Sequence, residues 1–89
     1  MIAMRIEKKA WPELFEKVLK EEKTFDVRIA DFKCNAGDLL VLKEYDPKTK
    51  QYTGREIEKE VNYVLKTKDQ KFFTKEDVDK YGFLVIAFN

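Results

Sequence analysis

Neither histidine nor serine occurs in this 89-residue chain, and Cys34 is its single cysteine. Those absences exclude Ser/His/Asp and Cys/His nucleophilic sites within one chain, and zinc sites built from histidine or several cysteines. A lone cysteine forms no internal disulfide, which fits a reducing compartment. The three glycines, at 37, 54 and 82, are too scattered to build a phosphate-cradling glycine loop. No apolar run approaches the roughly 18 residues of a membrane span, and the opening MIAMRIEKK lacks the continuous apolar stretch of a signal peptide. The chain is therefore expected in the cytoplasm, with no membrane partner. A net charge of +1 offers no global attraction for nucleic acid, so binding of that kind has to rest on a local patch.

What is present points to one folded domain over residues 1–89. Apolar residues make up 44% of the chain, with seven phenylalanines, four tyrosines and one tryptophan, while 39% of residues are charged. A chain of this size buries roughly 60 to 65% of its unfolded surface, enough for one modest core. A short strand is expected over Ala3 to Lys9. Trp11-Pro12-Glu13 then reads as a helix start, with Pro12 at the first helical position, where its missing N–H is harmless. The 3.6-residue period places Leu14, Phe15, Val18 and Leu19 on one face of a helix from Pro12 to Glu21, and pairs Glu13 with Lys17 and Glu16 with Lys20 on the other.

From Thr24 the period changes to two, with Phe25, Val27 and Ile29 on one side and Thr24, Asp26 and Arg28 on the other, which predicts an amphipathic strand. Asn35 to Asp38 supplies a turn, with Cys34 a small buried residue beside it. Leu39 to Tyr45 is then a central strand. Asp46-Pro47 opens a polar loop to Gly54, followed by a strand over Arg55 to Lys66 whose regular alternation is broken only by Lys59 on the apolar side. Thr74 caps a short helix with Asp77 in the capping-box position, Gly82 closes it, and the apolar run Phe83 to Phe88 suits a buried strand. Five or so strands are too many for an open sheet of this length to cover. A mainly β (α+β) fold is expected: a small barrel of five or six strands with one N-terminal and one short C-terminal helix.

Glu21, Lys23, Asp26 and Arg28 resemble the Gly-x-Lys-x-x-Glu-x-Arg signature of the ASCH domain, a PUA-like β-barrel, with Lys23 and Arg28 identical to it. More broadly, KxxWPELFEKVL, EKTFDVR and AGDLLVLKEYDPKTKQYTGREIEKEVNYVL follow in order the pattern of short bacterial and phage proteins called DUF3850, over roughly residues 8 to 88. Glu21 stands in place of the signature glycine, where a positive φ would strain it. Asp26 replaces glutamate on a shorter arm, and Ile6 stands where the family carries an early histidine.

The resemblance implies a cleft between helix and barrel, lined by the signature residues, that accepts a nucleotide or nucleobase. No cofactor or metal is expected. The residue chemistry agrees. Arg28 offers a planar fork, Lys23 a point charge, and Asp26 either reads amino groups or holds Arg28 in place. An exposed ion pair without function is the alternative reading of Asp26 and Arg28. Trp11 and Tyr45 are stacking surfaces or, for Trp11, a hydrophobic staple. The candidate binding set is Lys9, Trp11, Lys23, Thr24, Asp26, Arg28, Tyr45, Arg55 and Lys59. An RNA-binding or nucleotide-binding module is the first functional expectation. A hydrolase of modified nucleosides or RNA, with Lys23 working beside Glu58 or Glu60, is the second, and a phage or bacterial protein-interaction factor the third.

Overall fold

Residues 3–88 are described by a computed structural model of the chain. In order along the chain come β1 (Arg5–Ala10), α1 (Pro12–Leu19), β2 (Leu39–Asp46), β3 (Gln51–Glu60), a 3₁₀ turn at Thr67–Asp69 and α2 (Lys75–Tyr81). Strand β1 pairs parallel with β2, from Arg5 opposite Leu39 to Ala10 opposite Glu44, and β2 pairs antiparallel with β3. The expected barrel of five or six strands is corrected by this topology: the described strands form one open, mixed, three-stranded sheet in the order β1-β2-β3. Among the described residues no helix is long and apolar enough to cross a membrane.

Helix α1 starts where Pro12 predicts, after an extended Trp11, and lays Phe15 and Val18 against Ala10 and Leu42, with Leu40 and Ile57 packed at the margin. Its other two apolar residues, Leu14 and Leu19, stay exposed. The helix ends two residues before the expected Glu21 because Glu21 takes a left-handed φ of 62°. The N–H of Glu22 reaches the Lys17 carbonyl at 2.9 Å and that of Glu21 reaches Val18 at 3.0 Å, which is the paired closure of a Schellman motif. The expected Glu13/Lys17 and Glu16/Lys20 pairs give way to longer-reaching partners: Lys17 binds Glu22, and Glu16 binds Arg55.

Three stretches expected as strands do not join the sheet. Over 24–29, alternation supplies two faces but no partner, and the outer edge of β1 is engaged differently: the Lys9 carbonyl accepts the Arg28 side chain at 2.6 Å rather than a backbone N–H of a fourth strand. The strand expected to run to Lys66 stops at Glu60, with Val61 tied to the turn at Gly37 and Asp38 by two backbone hydrogen bonds. The apolar run after Gly82 stands open, with Leu84 at 88% exposure. Apolar content alone does not recruit a ladder partner. The hairpin is tighter than expected, β3 beginning at Gln51 after a turn closed by the Lys50 N–H on the Asp46 carbonyl at 2.8 Å. Helix α2 matches the sequence reading: the Thr74 hydroxyl accepts the Asp77 N–H at 3.1 Å, and Gly82 is the C-cap.

Asp38 anchors the start of the sheet. This buried carboxylate accepts the backbone N–H groups of Met4 at 3.0 Å and Asn35 at 2.8 Å, and those two donors hold its carboxyl below the usual carboxylate range. Cys34 beside it is half-buried, and burial pushes its thiol up.

Candidate functional site

The Schellman closure turns the chain out of α1 and directly into Lys23, so the strained Glu21 aims the residues that follow. The Lys23 ammonium donates to the Phe25 carbonyl at 2.8 Å and lies 3.5 Å from Asp26 Oδ1, while the other carboxylate oxygen, Oδ2, takes Arg28 Nε at 2.6 Å. Asp26 is thus held between two cations. Their side chains are partly sheltered, at 15% exposure for Lys23, 19% for Asp26 and 29% for Arg28. Of the contacts expected of Asp26, the structure contains the one to Arg28.

Arg28 then reaches across to the Lys9 carbonyl through Nη2, which fixes its plane at the edge of β1. Two of its five N–H donors are occupied by these bonds, leaving its remaining donors available to a ligand. Lys23, Asp26 and Arg28 line a cleft of about 450 Å³ whose other walls include Trp11, Leu14, Val18, Val27 and Leu42. Trp11 is 59% exposed and forms a wall of the cleft rather than a buried staple.

Of the nine candidate residues, five line this cleft together: Lys9, Trp11, Lys23, Asp26 and Arg28. Thr24 is exposed and does not line this cleft. Tyr45 lies under the Lys9 ammonium, 4.3 Å from ring centroid to nitrogen, and meets Tyr52 edge to face at 5.3 Å. Lys59 sits on β3 opposite Leu40 and does not line the cleft. Glu58, one of the two expected acid/base partners of Lys23, instead takes Arg5 Nη1 at 2.6 Å, and neither it nor Glu60 lines the cleft.

Arg55 belongs to a different construction. Between Lys43 and Tyr45 the β2–β3 register shifts, and Gly54 supplies the φ of 95° that lets β3 bulge around Glu44. Glu44, only 4% exposed, accepts the Thr53 hydroxyl at 2.6 Å and Arg55 through Nε at 2.9 Å and Nη2 at 2.8 Å. The same guanidinium binds Glu16 of α1 and stacks 4.9 Å from the Phe15 ring, so it rivets helix to sheet. The Arg55 hydrogen bonds, with that of Thr53, pull the Glu44 carboxyl down to about 2, and Glu44 in turn raises Arg55.

A second basin, of about 370 Å³, adjoins the first and was not foreseen from the sequence: Glu7, Lys8, Lys9, Arg28, Lys43 and Tyr52 line it. The available signal was the charged pair Lys43-Glu44 interrupting an apolar strand. Lys43 faces this basin, whereas Glu44 belongs to the Arg55 rivet.

No curated protein matches the chain. A family model described as a domain of unknown function, DUF3850, matches residues 7–83, a span that takes in β1, α1, the whole Lys23–Asp26–Arg28 cluster and both clefts, and the chain belongs to that family.

Proposed function

We propose that the protein is a non-enzymatic RNA-binding or nucleotide-binding module whose ligand enters the cleft between α1 and the edge of β1. The observation that carries this reading is the joining, in one concave site, of the Lys23–Asp26–Arg28 cluster with an exposed tryptophan and aliphatic walls. A base is a flat apolar disc with a hydrogen-bonding rim, and it requires both kinds of surface at once. Arg28 is pre-oriented by Asp26 and by the Lys9 carbonyl, so little rotamer freedom is lost when it meets a ligand. The long connection over 20–38 that carries the cluster has no regular secondary structure, as is common for binding loops on a rigid scaffold. Resemblance of Lys23 and Arg28 to the ASCH signature points the same way.

Trp11 is the only tryptophan, so its fluorescence reports on the cleft without labelling. Short single-stranded RNAs titrated at two salt concentrations should quench it saturably, with weaker affinity at higher salt. Arg28→Ala should reduce that affinity about tenfold while leaving the fold intact, in keeping with a charged hydrogen bond of roughly 1.5–3 kcal/mol. Quenching that never saturates, or that is equal in native protein and Arg28→Ala, would overturn the proposal.

A further inference from the structure

We infer that the second basin is an anion site, and that it holds the phosphate of a nucleotide whose base lies against Trp11. The inference rests on the reading of the first cleft given above. Lys9 and Arg28 line both hollows, so one ligand crossing them occupies both. The two hollows differ in chemistry: the first sets Lys9, Lys23, Asp26 and Arg28 against a wall of Trp11 and aliphatic side chains, while the second is lined by four cations, one carboxylate and a tyrosine, with no aliphatic wall.

The cations of the second basin are not equivalent. Arg28 is matched by Asp26, and Lys43 lies 3.4 Å from Glu7. Among the described residues, Lys8 and Lys9 have no carboxylate within 4.0 Å and rest on aromatic rings: Lys8 is 3.6 Å from the Phe32 centroid, and Lys9 is 4.3 Å from Tyr45 and 5.8 Å from Tyr52. A ring face holds an ammonium in place without cancelling its charge, whereas a carboxylate does both. The basin therefore keeps an uncompensated positive field in a chain whose formal net charge is only +1. A phosphate beside a stacked base supplies the opposing charge.

Adenosine, adenosine 5′-monophosphate, adenosine 3′-monophosphate and inorganic phosphate separate the two compartments. Adenosine should quench Trp11 weakly, one of the monophosphates should do so at least tenfold more tightly, and inorganic phosphate should displace that monophosphate without itself quenching. Lys8→Gln with Lys43→Gln, both confined to the second basin, should erase the monophosphate advantage and leave adenosine binding unchanged. Equal affinity for adenosine and both monophosphates, or an advantage that survives the double substitution, overturns the anion site while the base cleft stands. Absence of quenching by every probe and by RNA removes both.

Discussion

Asp26 with Arg28 and Glu44 with Arg55 are chemically the same pair, a carboxylate gripped by a guanidinium, yet they are built to different ends. Glu44 is enclosed by a bulge, bonded by Thr53 as well as by two nitrogens of Arg55, and tied onward to Glu16 and Phe15. Its arginine side chain makes three hydrogen bonds, two to Glu44 and one to Glu16, and so ties helix to sheet. Asp26 touches Arg28 through one nitrogen only, and Arg28 lines both clefts. One pair fastens helix to sheet, while the other lines a cleft.

The largest expected effect comes from breaking the closed pair. Glu44→Gln leaves Arg55 with Glu16 as its one remaining carboxylate partner and removes the charge from two of its hydrogen bonds, and thermal melting followed by circular dichroism should show a fall in Tm of roughly 10 °C. Affinity for RNA, measured below that lower Tm, should hardly change. A variant that melts normally but loses binding would invert the comparison.

Acid sharpens the same point. The Glu44 carboxyl lies at about 2 in the folded chain against an ordinary 4.5, so folding favours its ionised form. The stability it contributes is complete above about pH 4.5 and drains away as pH falls toward 2. Asp38, also held below its usual range, acts with the same sign. Chemical denaturation at successive acidic pH values should show the decline in the native protein and a shallower one in Glu44→Gln.

Next in size is the open pair. Lys23→Ala should weaken RNA binding about tenfold, a change of roughly 1.4 kcal/mol. Its Tm should move by only a few degrees, since a partly exposed ion pair contributes about 0–1 kcal/mol. The smallest effect belongs to Glu21→Gly. Glycine relieves the left-handed φ but adds freedom to the unfolded chain, and the balance should raise Tm by a few degrees, about 0.5 kcal/mol.

Much of this was readable from residue pattern where the signal is local. Pro12 fixed the start of α1, Thr74 with Asp77 fixed α2, and Asn35 to Asp38 made the turn, because caps and turns depend on neighbours in sequence. The cluster of Lys23, Asp26 and Arg28 was likewise visible, being six residues of one chain segment. Sheet membership was not, since period-two alternation at 24–29 and the apolar run at 83–88 describe what a strand would need, not whether an edge is free to receive it. Arg55 was placed with the candidate ligands because nothing local to it announces Glu44, eleven residues earlier, or Glu16, thirty-nine residues earlier. The Lys8–Lys43 basin required the β1–β2 register, a long-range fact.

The parallel pairing of β1 with β2 carries a further consequence, for the order of assembly. The β2–β3 hairpin closes over a handful of residues, whereas Arg5 meets Leu39 only after the whole of α1 and its trailing loop have been drawn in, a costlier closure that should come late. Amides of the hairpin are therefore expected to resist hydrogen exchange longer than those of β1, and the pocket, assembled from the late-arriving pieces, should vanish in partial openings that leave the hairpin whole.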